Sequence, residues 1–213
     1  MTESEQFPSA SLARRDQVVE CAIRLLGTYG SSALTHRTID QELALPNGTT
    51  SNYFRTKPAL LAAAYEWIAS ADLAEVDAAR RIASAAPHSG SNGPKLVVAA
   101  LRGWLDGESG LIRQRARLEL NLVASYWPEL WPSVRTHRTR FTEAIADFLA
   151  ALGLERSIQN ARILQAIGDG ILLDNLMYGQ DGKQLDGEAV ERSLYPIFAE
   201  WARTGIGGSA SPI

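Results

Sequence analysis

A single cysteine, Cys21, stands in 213 residues. No disulfide can form within one chain, and a reducing, cytoplasmic compartment is the natural expectation. Histidine is almost as scarce. His36, His88 and His137 are the only three, and none is spaced with another His, Cys or carboxylate as metal ligands are. No apolar run approaches the roughly 18 residues that a membrane span requires, so no membrane partner is expected. The opening residues, MTESEQFPSASLARR, hold two acids and no apolar core segment, so no secretory leader is expected either. The GxSxG, P-loop and dinucleotide-binding fingerprints are missing, and strand-like alternation never persists. These absences point away from an enzyme and from any cofactor, and toward an all-α protein.

Positive charge is also in short supply. The net charge is −3, which by itself disfavours a nucleic-acid binder. Its distribution is more informative. Residues 12–57 carry Arg14, Arg15, Arg24, Arg37, Arg55 and Lys57 against Asp16, Glu20, Asp40 and Glu42, a local net of +2. The basic excess therefore coincides with the most patterned stretch of the chain.

Helical periodicity runs through the sequence. The spacing of Val18, Val19, Ala22, Ile23, Leu25, Leu26 and Tyr29 predicts a helix over 12–29, with Cys21 an inert thiol on its buried stripe. Gly30 and two serines stop it. Thr35 suits an N-cap, and Leu34 with Ile39 fits a hydrophobic staple across it. Pro46 suits a first helical turn, which predicts a short helix over 46–54. A long helix should follow from Lys57 to about Ala85. PHSGSNGP, residues 87–94, reads as a flexible linker. Further helices are expected at 95–107, 111–126, 129–152, 156–178 and 187–203. The segments 179–187 and 206–213 read as a loop and a frayed tail.

Two short helices around a tight turn, followed by Tyr53-Phe54 and a basic residue, have the layout of a helix-turn-helix. In that layout Ile39, Leu43, Leu45, Thr50 and Phe54 point inward. Asn47, Thr49, Ser51, Asn52 and Tyr53 remain on the outer face. Asn can pair bidentately with an adenine edge and Thr can touch a thymine methyl. Ser, Thr, Tyr and Lys bond phosphates. Lys57, at a helix start, opposes the helix dipole, and a phosphate partner would offset that placement.

Leu34-Thr35, Ile39, Glu42, Leu45, Gly48-Thr49, Tyr53-Phe54, Lys57 and Leu60-Leu61 occur at a spacing that resembles the tetracycline-repressor-like (TetR) bacterial transcription regulators. With the helix before it, the resemblance covers about residues 12–61. It implies an N-terminal three-helix DNA-binding domain and a larger helical effector-binding and dimerisation domain. The expected divisions are an arm at 1–11, the DNA-binding domain at 12–57, the second domain at 58–205 and a tail at 206–213. The implied DNA contacts are His36, Arg37, Asn47, Gly48, Thr49, Ser51, Asn52, Tyr53 and Lys57. Asn47, Thr49 and Asn52 are assigned to bases, Ser51, Tyr53 and Lys57 to phosphates, and Arg37 to either. Gly48 would let the backbone approach DNA. Two departures stand out. Ala44 replaces the Gly common in the turn, and would cost about 1 kcal/mol if that site needs a positive φ. Ser51 replaces a frequent aromatic, which shrinks the contact surface.

The remainder offers weaker signals. Tyr126, Trp127 and Trp131 cluster around Pro128 and Pro132, with Trp104 a candidate neighbour. Arg113, Arg115, Arg117 and Glu119 share a helix, and Asp169, Asp174 and Asn175 interrupt an apolar one. The candidate effector pocket is Trp104, Arg117, Tyr126, Trp127, Trp131 and Asp169, although helical cores bury tryptophans routinely. The resemblance implies a small apolar or amphipathic effector. The helix at 156–178 is too apolar for a wet face, which suggests a homodimer bundle with the helix at 187–203. Its candidate interface is Ile163, Ile167, Gly170, Ile171, Leu194, Phe198 and Trp201, with burial inside one subunit as the alternative. The combined expectation is a homodimeric repressor released from a palindromic operator by the effector. A ligand-independent DNA-binding regulator and a helical interaction module are the alternatives.

Overall fold

The computed structural model describes residues 10–85, 92–179 and 186–205. Residues 1–9 of the expected 1–11 arm, His88 with most of the expected linker, most of the 179–187 loop and the tail from 206 lie outside the described residues. Those described form helices α1 (Ala10–Tyr29), α2 (His36–Glu42), α3 (Thr49–Tyr53), α4 (Lys57–Ala85), α5 (Gly93–Leu105), α6 (Gly107–Tyr126), α7 (Trp131–Ala151), α8 (Ile158–Tyr178) and α9 (Gly187–Gly205). A 3-10 turn, Pro128–Leu130, leads into α7. The all-α expectation holds.

Two compact units result. The first is the chain up to Ile68 with Arg115–Val134; the second is Ala69–Gln114 with the chain from Arg135 onward. The first unit gathers Val18, Ala22, Leu25, Leu26, Leu34, Ile39, Phe54, Leu60, Leu61, Ala64 and Leu120 into one core. The inward faces of α1 and α2 were readable from their 3–4 spacing. The contribution of the α6 residues Ala116, Leu120 and Ala124 was not, because some fifty residues or more separate them from the α4 core residues Leu61 and Ala64. Cys21 is buried here, and burial pushes its thiol above the ordinary value, which makes it unreactive.

In the second unit α9 packs along α5. Gly93 is a close-approach position: a Cβ there would fall 2.3 Å from the Phe198 ring. The expected linker therefore ends early, because Gly93 and Pro94 already form the buried first turn of α5. α8 begins at its Ser157 N-cap, whose side chain accepts from the Asn160 N–H at 3.2 Å. Leu164, Leu172, Phe148, Leu149, Leu194, Phe198 and Trp201 fill this core.

Candidate nucleic-acid interface

Thr35 caps α2 as its sequence implies. Its side chain accepts from the Thr38 N–H at 3.0 Å, and the flanking Leu34 and Ile39 are both fully buried. The turn that follows is tight. Leu45 N–H donates to the Asp40 carbonyl at 2.7 Å and Ala44 N–H to that of Gln41 at 3.1 Å. Ala44 sits at φ 51°, the only described non-glycine with positive φ. The turn thus does need a left-handed residue there, and Ala accepts strain of about 1 kcal/mol.

The recognition helix is shorter than its sequence suggests. Pro46 does not open it. Pro46 to Thr49 instead form a turn closed by the Thr49 N–H on the Pro46 carbonyl at 3.1 Å, with Gly48 at φ 89° and ψ −1°. Those angles are the third position of a type II turn, which glycine takes without strain. α3 therefore starts at Thr49. Gly48 faces open space, since a Cβ added there would meet nothing within 4 Å.

Asp40 is the residue that positions α3, and the sequence reading missed it. Counted there only in the charge balance, it is 1% exposed. Its carboxylate accepts from the Gly48 N–H at 2.7 Å, the Thr50 N–H at 2.8 Å and the Thr50 hydroxyl at 2.7 Å. It caps from a distance the short helix that Gly48 cannot cap with a side chain. Burial pushes its carboxyl up. The three hydrogen bonds, with a smaller pull from His36, outweigh burial and hold it below the ordinary carboxylate value. The available cue was an acid eight residues before Gly48 and ten before Thr50. It is readable only once the turn between them is known.

The outer face is then set. Arg37, Asn47, Gly48, Ser51 and Asn52 are exposed, while His36, Thr49, Tyr53 and Lys57 are half-buried. The Thr49 hydroxyl donates to the Pro46 carbonyl at 2.6 Å. Tyr53 packs against the core cluster. Lys57 is already engaged: its ammonium donates to the Ser31 carbonyl at 2.6 Å. The same Ser31 donates its N–H to Glu119 of α6 at 2.8 Å. Arg15 lies over the Phe54 ring at 4.9 Å, shielding the apolar end of α3 with a cation.

The other candidates divide between the two units. Arg117, Tyr126, Trp127 and Trp131 belong to the first unit, whereas Trp104 and Asp169 belong to the second. Tyr126 is 80% exposed, and the Trp131 indole donates to the Ala124 carbonyl at 2.7 Å, fastening the α6–α7 corner. Trp104 packs against Phe141 at 5.9 Å. Of the expected dimer residues, Ile163 and Gly170 are exposed and Ile167 and Ile171 are half-buried. Leu194, Phe198 and Trp201 are buried in their own unit's core. For these three, burial inside one subunit is what is seen, because α9 packs this face on α5. Asp174 is exposed and needs no buried partner.

The second unit holds polar groups that the sequence did not single out. Gln114 is 1% exposed, and neither its carbonyl oxygen nor its amide nitrogen meets a partner among the described residues. The indole N–H of Trp104 is equally unmet. Such groups are costly to bury without a partner.

Residues 92–196 match the family described as "Tetracyclin repressor-like, C-terminal domain". The chain belongs to the TetR family. This TetR-family chain is similar in structure to the multidrug binding protein EbrR complexed with imidazole. The two are 29% identical over 86% of this chain and 94% of that one, with a TM-score of 0.64. It is also similar to a TetR-family member from Streptomyces coelicolor A3, at 28% identity, 86% and 97% coverage, and a TM-score of 0.64. A putative TetR-family regulator from Mesorhizobium loti MAFF303099 shares the fold at 13% identity, 92% and 98% coverage, and a TM-score of 0.74. No curated protein matches the sequence. TetR-family regulators are transcription factors rather than enzymes. Among the described residues, no helix is long and apolar enough to cross a membrane.

Proposed function

We propose that this TetR-family protein is a homodimeric, cytoplasmic bacterial repressor that binds a palindromic operator and is released by a small effector. Residues 12–57 would do the DNA binding, and 58–205 would bind the effector and form the dimer. The observation that carries the reading is the outer face of α2 and α3. Arg37, Asn47, Ser51 and Asn52 stand exposed on a helix pair that Asp40 holds rigidly from behind. Pre-positioned, uncommitted amide and hydroxyl groups suit base-edge recognition in a major groove. Two such helices related by a two-fold axis call for half-sites about one helical turn apart, or a multiple of it.

The second copy is assigned to α8. Ile163, Gly170, Leu173 and Met177 form an exposed stripe at spacings of seven, three and four residues, the pattern of a helix–helix seam. A Cβ at Gly170 would meet nothing within 4 Å, so a facing helix can come close. The effector is assigned to the interior of the second unit, where Gln114 and the Trp104 indole N–H are each buried without a partner among the described residues. Their unmet donors and acceptor would be satisfied by a mostly apolar molecule carrying one or two polar groups. The complexes of multidrug binding protein EbrR with ethidium and malachite green support an aromatic effector of that kind. An effector that prefers the DNA-incompetent state lowers operator affinity by the factor that DNA lowers effector affinity. α4, which contributes residues to both units, is the proposed link.

Affinity selection of random duplexes at two salt concentrations tests this reading. A palindromic consensus is expected, and Asn47→Ala should relax base choice at one position per half-site. Salt-sensitive enrichment without a consensus would mean sequence-independent association. No enrichment at low salt would remove the operator reading.

A further inference from the structure

We propose that the groove between α7 and α8 is a second ligand site, selective for a small organic anion and separate from the interior assigned to the effector. It is an open surface groove of about 410 Å³, within the range of small-molecule sites. Arg135, Arg138 and Thr139 line it from α7, one helical turn apart and therefore on one face. Ile158 and Arg162, four residues apart, line it from α8. Beneath them the Thr142 hydroxyl meets the Gln165 carbonyl oxygen at 3.0 Å, which ties the two helices together as a buried floor.

The electrostatics are unbalanced. Three guanidinium groups face Glu143 as the only carboxylate of the lining. None of the three makes a side-chain hydrogen bond or ion pair among the described residues. Some arginines of this unit are matched, Arg156 with Asp147 at 2.7 Å, Arg80 with Asp77 at 3.1 Å and Arg203 with Glu200 at 2.7 Å. Like charges gathered in one concavity repel, and an anion relieves that repulsion. Guanidinium groups match carboxylate and phosphate oxygens in bidentate fashion. Ile158, the first residue of the 21-residue α8, brings the positive end of that helix to the groove. Its side chain is 43% exposed and supplies an apolar wall. The ligand is therefore a carboxylate or phosphate head with a short apolar body. Glu143 at the lining and a groove of small-molecule size favour such a molecule over a nucleic-acid backbone.

Calorimetric titration of the full-length protein with sodium decanoate tests the site. Saturable uptake is expected, with inorganic phosphate competing for the head-group position. Arg138→Gln and Arg162→Gln should each weaken decanoate binding at least about tenfold. Both residues are exposed, and unchanged thermal melting would show the variants to be folded. Gln114→Leu should leave decanoate binding intact. Absence of saturable uptake, affinity unchanged in both arginine variants, indifference to phosphate, or loss confined to Gln114→Leu would each overturn the proposal. The effector assignment at Gln114 stands or falls separately, because it is read in operator release rather than in decanoate uptake.

Discussion

Asp40 shows how one side chain sets the geometry of a binding face. A five-residue helix cannot hold itself together, because too few hydrogen bonds offset the cost of nucleation. α3 is held instead by a carboxylate on the preceding helix that satisfies two of its first backbone donors and one hydroxyl. Asp40→Ala should destabilise the first unit by roughly 2–4 kcal/mol, since it strands buried donors. The pH dependence follows from the depressed carboxyl. An unfolded aspartate titrates near 3.9. The Asp40 contribution is thus fully present above about pH 4 and is lost as pH falls through its lower folded value. Urea unfolding from pH 7 to pH 3 should show this loss in the native protein and a flatter profile in Asp40→Asn. Identical profiles would refute the capping role.

The α4 N-terminus joins three elements through one peptide unit. Ser31, in the α1–α2 loop, accepts from Lys57 of α4 and donates to Glu119 of α6. The cation that opposes the α4 dipole is thereby neutralised in part by a carbonyl, before any phosphate is considered. Lys57→Ala should therefore act twice. It should lower affinity for all duplexes and reduce the salt slope by about one unit, as for any phosphate contact. It should also loosen the α1–α2 loop, visible as faster amide exchange there. Loosening with an unchanged salt slope would assign Lys57 to the loop alone.

For the whole molecule, the decisive surface is α8. Its inner face, Ala161, Leu164, Leu172 and Leu176, is spent on the core. Leu173, Met177 and Tyr178 remain exposed, at 42%, 62% and 67%. An apolar stripe of this kind is unusual on a monomer. Leu173→Glu with Met177→Glu would bury two charges in the proposed seam. Sedimentation should then show monomers, with dimer dissociation raised roughly a hundredfold or more. A dimer of unchanged strength would refute the α8 assignment.

Local chemistry was legible before any coordinates. The Thr35 cap, the Leu34–Ile39 staple, the inert Cys21 and the strain at Ala44 each depend on a few neighbouring residues, so composition and spacing were enough to specify them. Asn47, Ser51 and Asn52 followed from the same periodicity, and Arg37 from the family resemblance. Long-range partners were decided only by the tertiary structure. Asp40 became a buried cap because the turn brings Gly48 and Thr50 onto it. Lys57 and Glu119 met at Ser31 because α6 returns to the first unit. Leu194, Phe198 and Trp201 turned inward because Gly93 lets α5 lie against α9. An apolar helix face states only that it must be covered. Which surface covers it depends on how distant segments pack, and no local spacing records that.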